Sequence, residues 1–284
     1  MKKKLIILFT TLTIVVASIV TAFILINNNR DTDTKPPQPT FGVWWWSDSL
    51  DKNTNLNFAK GNGINEIYYC SDDFDENTAN FIKSSNDLGI KVYWLAGEYQ
   101  WLDDATNLHE QISWYIDFQN TYNYDFSGIH LDIEPHQTPD FDERRSELIT
   151  NLALLARDLK IQYPNISFDY DVPFWLEDVI NINDVEKPAY EFMIDFSDRV
   201  FLLSYRDTYE GIYNVAKDEI DYALSVNKKI ILSVETQEGE ADKVTFFEEG
   251  KQVMNAVLKE LKEKQPKNVE YSIHHMKSWY NLKP

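Results

Sequence analysis

From Phe41 onward, short β-rich runs alternate with segments of helical character, and this alternation constrains the fold more than any other feature of the chain. The runs are Phe41–Trp46, Glu66–Cys70, Lys91–Leu95, Gly128–Glu134, Ser167–Val172, Arg199–Tyr205, Lys229–Glu235 and Tyr271–His275. Between them, Glu76–Leu88, Leu108–Tyr122, Phe141–Tyr163, Thr208–Val226 and Phe247–Lys264 read as amphipathic helices. Thr245 with Glu248 three residues on predicts a capping box that opens the last of these. Strand–helix alternation implies a parallel sheet with right-handed crossovers. Eight units point to closure as a single (β/α)8 TIM barrel of the α/β class, with an open doubly wound sheet as the alternative. Only Trp279-Tyr280-Asn281-Leu282-Lys283-Pro284 follows the eighth run. The last helix is therefore expected to be reduced or absent, with the seam slightly open or the tail lying across it.

The barrel is expected over residues 41–284, close to the roughly 250 residues such a fold takes. Ahead of it, Lys2-Lys3-Lys4 precedes an apolar run from Leu5 to Ile26 that contains no charge, Gly or Pro. A helix of that length spans a bilayer, so residues 1–26 read as a signal anchor, or transmembrane segment, more than as a cleaved signal. Cleavage after Val20-Thr21-Ala22 is the alternative. The lysines hold the N-terminus cytoplasmic, which puts the barrel outside the cell under either reading. Residues 27–40, with three asparagines and Lys35-Pro36-Pro37-Gln38-Pro39, read as an extended linker. Cys70 is the single cysteine, so the exported domain must be held by its core and not by disulfides. A formal charge of −19 argues against nucleic acid or an anionic membrane surface as partner.

The fourth run carries the chemistry. In Ser127-Gly128-Ile129-His130-Leu131-Asp132-Ile133-Glu134-Pro135, alternation puts Ile129, Leu131 and Ile133 on one face and His130, Asp132 and Glu134 on the other. With the apolar face against the helices, the polar three point into the barrel. Burying two carboxylates and an imidazole is costly unless they are paired or functional. Glu134 stands at the C-terminal strand end, where barrel enzymes keep catalytic residues. A polar network that only fixes the core is the alternative.

The same stretch resembles the fourth strand of glycoside hydrolase family 18, the chitinase-like barrels, whose signature is D-G-x-D-x-D-x-E. The last Asp and the Glu are kept as Asp132 and Glu134, while Ser127 and His130 stand at the first two Asp positions. Leu203-Ser204-Tyr205-Arg206 resembles that family's M-x-Y-D in its Tyr, and Trp279 resembles the tryptophan that floors its sugar site. The resemblance implies a retaining mechanism assisted by the substrate's N-acetyl group. Glu134 would protonate the glycosidic oxygen, and Asp132 would orient the acetamido group with Tyr205 helping. No cofactor or metal is implied.

Glu235 ends the seventh run and could join Glu134 as a second catalytic carboxylate, the layout of retaining glycosidases with paired glutamates. Asp171, on one face of the fifth run with Ser167 and Asp169, is a candidate sugar ligand or partner of Glu134. His130 is a further candidate for the substrate site. Seven of the eight tryptophans fall at or just past strand ends, and Trp46, Trp94, Trp175 and Trp279 are the expected platforms for pyranose faces. The partner implied is a poly- or oligosaccharide of cell wall or matrix. Two rival readings remain open. His130, Asp132, Glu134, His136, His274 and His275 could ligate metal in a metal-dependent hydrolase, although no compact motif such as H-E-x-x-H is present. Alternatively, the barrel binds glycan without cleaving it. No G-x-G-x-x-G, G-x-x-x-x-G-K or G-x-S-x-G occurs, so neither a nucleotide nor a serine nucleophile is expected.

Overall fold

The computed structural model describes residues 38–46, 51–71 and 73–284. The apolar run Leu5–Ile26 and nearly all of the linker lie outside the described residues. Among the described residues, no helix is long and apolar enough to cross a membrane.

Eight parallel strands close into a barrel. In chain order they are β1 (Phe41–Trp45), β2 (Glu66–Cys70), β3 (Lys91–Ala96), β4 (Ile129–Leu131), β5 (Phe168–Pro173), β8 (Arg199–Leu203), β9 (Ile230–Glu235) and β10 (Val269–His274). Each is followed by a helix: α1 (Lys52–Gly61), α2 (Glu76–Asp87), α3 (Thr106–Thr121), α4 (Phe141–Gln162), α5 (Ala189–Phe196), α6 (Tyr209–Ser225), α7 (Lys251–Lys264) and α8 (Met276–Asn281). Side-chain caps open several of them, with Asp51, Asp75 and Thr208 each accepting from the backbone N–H three residues on. The seam is shut, because β1 pairs with β10 through Phe41↔Tyr271, Gly42↔Ser272 and Val43↔Ile273. The last helix is a single six-residue piece. The tail runs on from it, and Lys283 accepts a hydrogen bond from the Lys251 N–H at 2.8 Å.

Between β5 and α5 the chain inserts an antiparallel hairpin, β6 (Val179–Ile182) with β7 (Val185–Pro188). Its two-residue tip, Asn183 and Asp184, adopts φ of 53° and 64°, the left-handed conformation that Asn and Asp tolerate best.

Two layers of core follow from strand alternation. Trp44, Tyr68, Tyr93, Leu95, Phe201 and Ile231 fill the barrel, while Val43, Trp45, Val92, Trp94, Ile129 and Leu131 pack outward under the helices. Gly42 makes the inner layer possible, since a Cβ there would meet the Tyr68 hydroxyl at 2.2 Å. At the N-terminal end, Arg199 closes the barrel with Nη1 2.7 Å from Glu66 and Nη2 2.5 Å from Asp169. Asp169, expected to face inward beside Asp171, is thus committed to this ion cluster.

Three expected boundaries are corrected. The fourth strand is shorter than 128–134: Asp132 N–H still donates to Ala96 O at 2.9 Å, but the chain then leaves the ladder and folds into a 3-10 turn over Pro135–Gln137. The sixth barrel strand ends at Leu203, not Tyr205, because the Ser204 N–H turns back onto Leu202 O at 2.7 Å. The capping box at Thr245 does not open a helix. Gly250 sits at φ 86°, outside helical space, so α7 starts only at Lys251, and Thr245 instead bridges to Glu235.

Candidate active site

At the C-terminal mouth, side chains from β1, β4, β5, β8, β9 and β10 converge. Its floor is Asp171, which is buried on β5. Oδ2 of Asp171 receives the Trp44 Nε1–H at 3.0 Å and lies 3.0 Å from Nε2 of His130. Oδ1 is buried and meets no N–H or O–H donor from any other side chain or backbone. The Asp132 carboxyl is the acid that faces Asp171, and their contact favours the protonated form of Asp132. Burial, then the neighbouring charges of Asp171 and Glu134, hold the Asp132 carboxyl well above the usual carboxylate range. Asp171 is also raised, by burial first, with its Trp44 hydrogen bond opposing. Both directions favour a protonated acid in this pair over two carboxylates.

His130 lies beneath this pair and not beside a substrate. It is fully buried, stacked on Tyr68 at 4.4 Å and edge-on to Trp44 and Phe201. Burial pushes its imidazole down to about 3, so it is neutral and its Nε2–H donates to Asp171. The expectation that His130 contacts substrate is corrected to that of a residue holding Asp171 in place.

Glu134 stands above, at the rim, with its side chain 21% exposed. Gln137 Nε2 donates to its Oε2, and His136 Nε2 lies 3.8 Å from its Oε1. Of the three inward residues on the fourth strand, His130 is closed off, while Asp132 and Glu134 are both partly exposed at the mouth. The turn that carries it depends on Gly97, where a Cβ would fall 1.8 Å from the Asp132 carbonyl oxygen.

On the opposite wall, Glu235 is buried and fully engaged. It accepts from the N–H groups of Thr236 at 2.6 Å and Gln237 at 2.7 Å, and its Oε2 lies 2.5 Å from His274 Nδ1. Burial opposes charge on His274, but the Glu235 contact, helped by Asp132 and Asp171, outweighs it and raises the imidazole above its ordinary value. Trp46, 38% exposed, lays its ring 4.7 Å from His274 and 5.3 Å from His275. Tyr205 sits 5.7 Å from His274, ring to ring. Burial and the charges of Glu235, Asp171, Asp132 and Glu134 keep its phenol protonated.

The mouth thus brings together Asp132, Glu134, Asp171, Tyr205, Glu235 and Trp46. Trp175 stands at the rim, its ring 5.5 Å from His136 and one face under Arg145 at 5.0 Å. Trp94 and Trp279 are not in the mouth. Trp94 shares the outward face of β3 with Val92 and packs on Phe74 and Tyr115. Trp279 is buried on α8 against Phe41 and Phe58, in the layer between helices and barrel. Position past a strand end suggested both; the direction of the side chain decides against them. His274 was considered only as a metal ligand, although its register opposite Glu235 on neighbouring strands was the signal for an ion pair. Among the described residues, no three His, Cys, Asp or Glu side chains converge as a metal site.

No protein-family model matches the chain, and no curated protein matches it in sequence. Solved structures do share its fold. A chitinase from Bacteroides thetaiotaomicron is 13% identical, aligned over 84% of this chain and 90% of that one, with a TM-score of 0.55. A putative alpha-L-fucosidase from Bacteroides thetaiotaomicron VPI-5482 is 10% identical over 84% and 85%, with a TM-score of 0.53. A putative deoxyribose-phosphate aldolase from Toxoplasma gondii ME49 is 10% identical over 86% and 91%, with a TM-score of 0.52. These likenesses show the barrel, which hosts both glycosidases and an aldolase, and the chemistry must be argued from the site.

Proposed function

We propose that the chain is a glycoside hydrolase that cleaves a β-linked glycan, with N-acetylhexosamine polymers of cell wall or matrix as the substrate class. The observation that carries the reading is the placement of Asp132 and Asp171 at the same barrel mouth as the partly exposed Glu134, with charge disfavoured on both aspartates. A structural network would satisfy its carboxylates with arginine or backbone donors, as Arg199 does at the other end of the barrel. Here the acids are stacked towards an open mouth, an arrangement that tunes proton transfer.

Glu134 is the general acid. It gives its proton to the glycosidic oxygen while the substrate's acetamido oxygen attacks C1, and the C1–O bond breaks with its electrons going to the leaving oxygen. Water, deprotonated by Glu134, then reopens the ring intermediate with retention. Asp132 accepts the acetamido N–H, and Tyr205 donates to the same group. Trp46 offers its face to the sugar beside His274. Glu235, saturated by two N–H donors and His274, holds the imidazole rather than acting as nucleophile. The fold shared with a chitinase adds to the reading. The lysines and apolar run at the N-terminus support an extracellular barrel anchored in the cell membrane.

The test incubates the full chain and its Glu134→Gln variant with chitin, cell-wall and matrix oligosaccharides, with products followed by mass spectrometry. Loss of a general acid costs about 10²–10⁴-fold in rate, so the variant should bind while cleavage falls by at least 100-fold. Equal cleavage by both would remove Glu134 from its role. Binding by both with no cleavage would replace the hydrolase with a glycan-binding barrel.

A further inference from the structure

Two cavities outside the mouth meet at the ring of Trp114. The first, of about 360 Å³, is lined by Phe74, Trp94, Glu98, Trp101, Gln111 and Trp114. Its wall over Leu95–Gly97 is the C-terminal end of β3, which abuts the Asp132 backbone. The second, of about 410 Å³, continues past Phe74 and Trp114 to Asp117, Phe118 and Thr121. Gln111, Trp114, Phe118 and Thr121 are spaced three and four apart on α3, which lines them along one flank of that helix. Trp114 is 53% exposed, more than any other described tryptophan.

Its exposed ring is not an isolated side chain, because it borders both cavities together with Phe74 and forms one contiguous surface with them. The chemistry around it says which ligand fits. Among the described residues no cation lines either cavity, so an acidic ligand finds no partner there. The carboxylates of Glu98 and Asp117 and the amide oxygen of Gln111 alternate with ring faces, so a purely apolar segment would cover polar atoms that face the groove. A neutral ligand with flat apolar faces and many hydroxyls satisfies both sets. The first cavity is bordered by Gly97 and Glu98, at the C-terminal end of β3 that also meets the Asp132 backbone.

We propose that this groove is a second glycan-binding site, in which Trp114 is the platform for units of the same polysaccharide that lie outside the catalytic mouth. The proposal rests on the carbohydrate reading above but not on hydrolysis. Trp114 would make long chains bind more tightly than short ones without touching the bond that is cleaved.

The test measures binding of N-acetylglucosamine hexamer and trimer by calorimetry to the full chain carrying Glu134→Gln, with and without Trp114→Ala. Cleavage of the trimer is followed in the Glu134 form of both. Removing one stacking ring should weaken the hexamer about tenfold and leave trimer binding and cleavage unchanged. A Trp46→Ala variant should weaken both oligomers. Hexamer affinity indifferent to Trp114→Ala overturns the groove, as does an equal loss for the trimer or no hexamer binding at all. Trp114-dependent binding without cleavage by the native chain would keep the groove and sink the hydrolase. Cleavage that ignores Trp114, with hexamer affinity unchanged, would do the reverse.

Discussion

Asp171 carries two N–H donors on one oxygen, and His130 is the donor that depends on pH. An ordinary histidine takes a proton near 6.5, whereas this one holds out to about 3 because burial penalises its cation. As pH falls below 6.5 the unfolded chain binds that proton and the folded one does not, so the histidine's contribution to stability is lost progressively down to about 3. Each pH unit is worth about 1.4 kcal/mol. Relative to a His130→Gln variant, the native protein should therefore lose about 2 kcal/mol between pH 7 and pH 5. Urea melts of both proteins at the two pH values read this directly. A constant difference would mean that His130 is already charged in the fold. The residue type was visible in the sequence, and so was its inward face. Its depth was not, because alternation gives the side of a strand and not the distance from the mouth.

At the level of elements, the alternation of β-rich and helical runs was enough to find all eight barrel strands, each within a few residues of its observed limits. What escaped was decided by single backbone positions. Gly250 in the left-handed region cancels a helix start that Thr245 and Glu248 announce, and Asn183-Asp184 turns a hairpin inside what read as one long crossover. Trp94 shows a different limit: its position near a strand end points to the mouth, while its side chain shares the outward face of β3 with Val92. Gly97 shows how an element can serve the site without contributing a side chain. A methyl group there would press on the Asp132 carbonyl carbon at 2.6 Å and its oxygen at 1.8 Å, and neither is a flexible side chain that can swing aside. Gly97→Ala should push the turn carrying Asp132 and Glu134 out of place. A displacement of the order of 1 Å costs about 100-fold in rate, and crowding of this kind costs about 1–3 kcal/mol in stability. Turnover and a thermal melt of the variant check both, and native values for the two would show that the β3 end can yield.

For the whole molecule the question is the seam, where the helix after β10 is only six residues long. The structure resolves it with packing instead of length. The six residues of α8 bring Trp279 under Phe58 of α1 and beside Phe41 of β1, and the tail then reaches back to α7 through Lys283. The first and last strands are thus joined twice, by the β1–β10 ladder and by an indole that belongs to the fold and not to the mouth. Its Nε1–H is buried without an acceptor, which is a cost the ring's packing must exceed. Two substitutions separate these effects. Trp279→Ala leaves a cavity at the seam and should cost about 3–5 kcal/mol, which for a chain of this size lowers Tm by at least roughly 6 °C. Trp279→Phe keeps most of the ring and removes the unpaired N–H, so its loss should be well under half as large. Calorimetric melts of both variants supply the numbers. If Trp279→Ala left Tm unchanged while glycan binding fell, the tryptophan would belong to the sugar site after all, and the closure of this barrel would rest on its strand ladder alone.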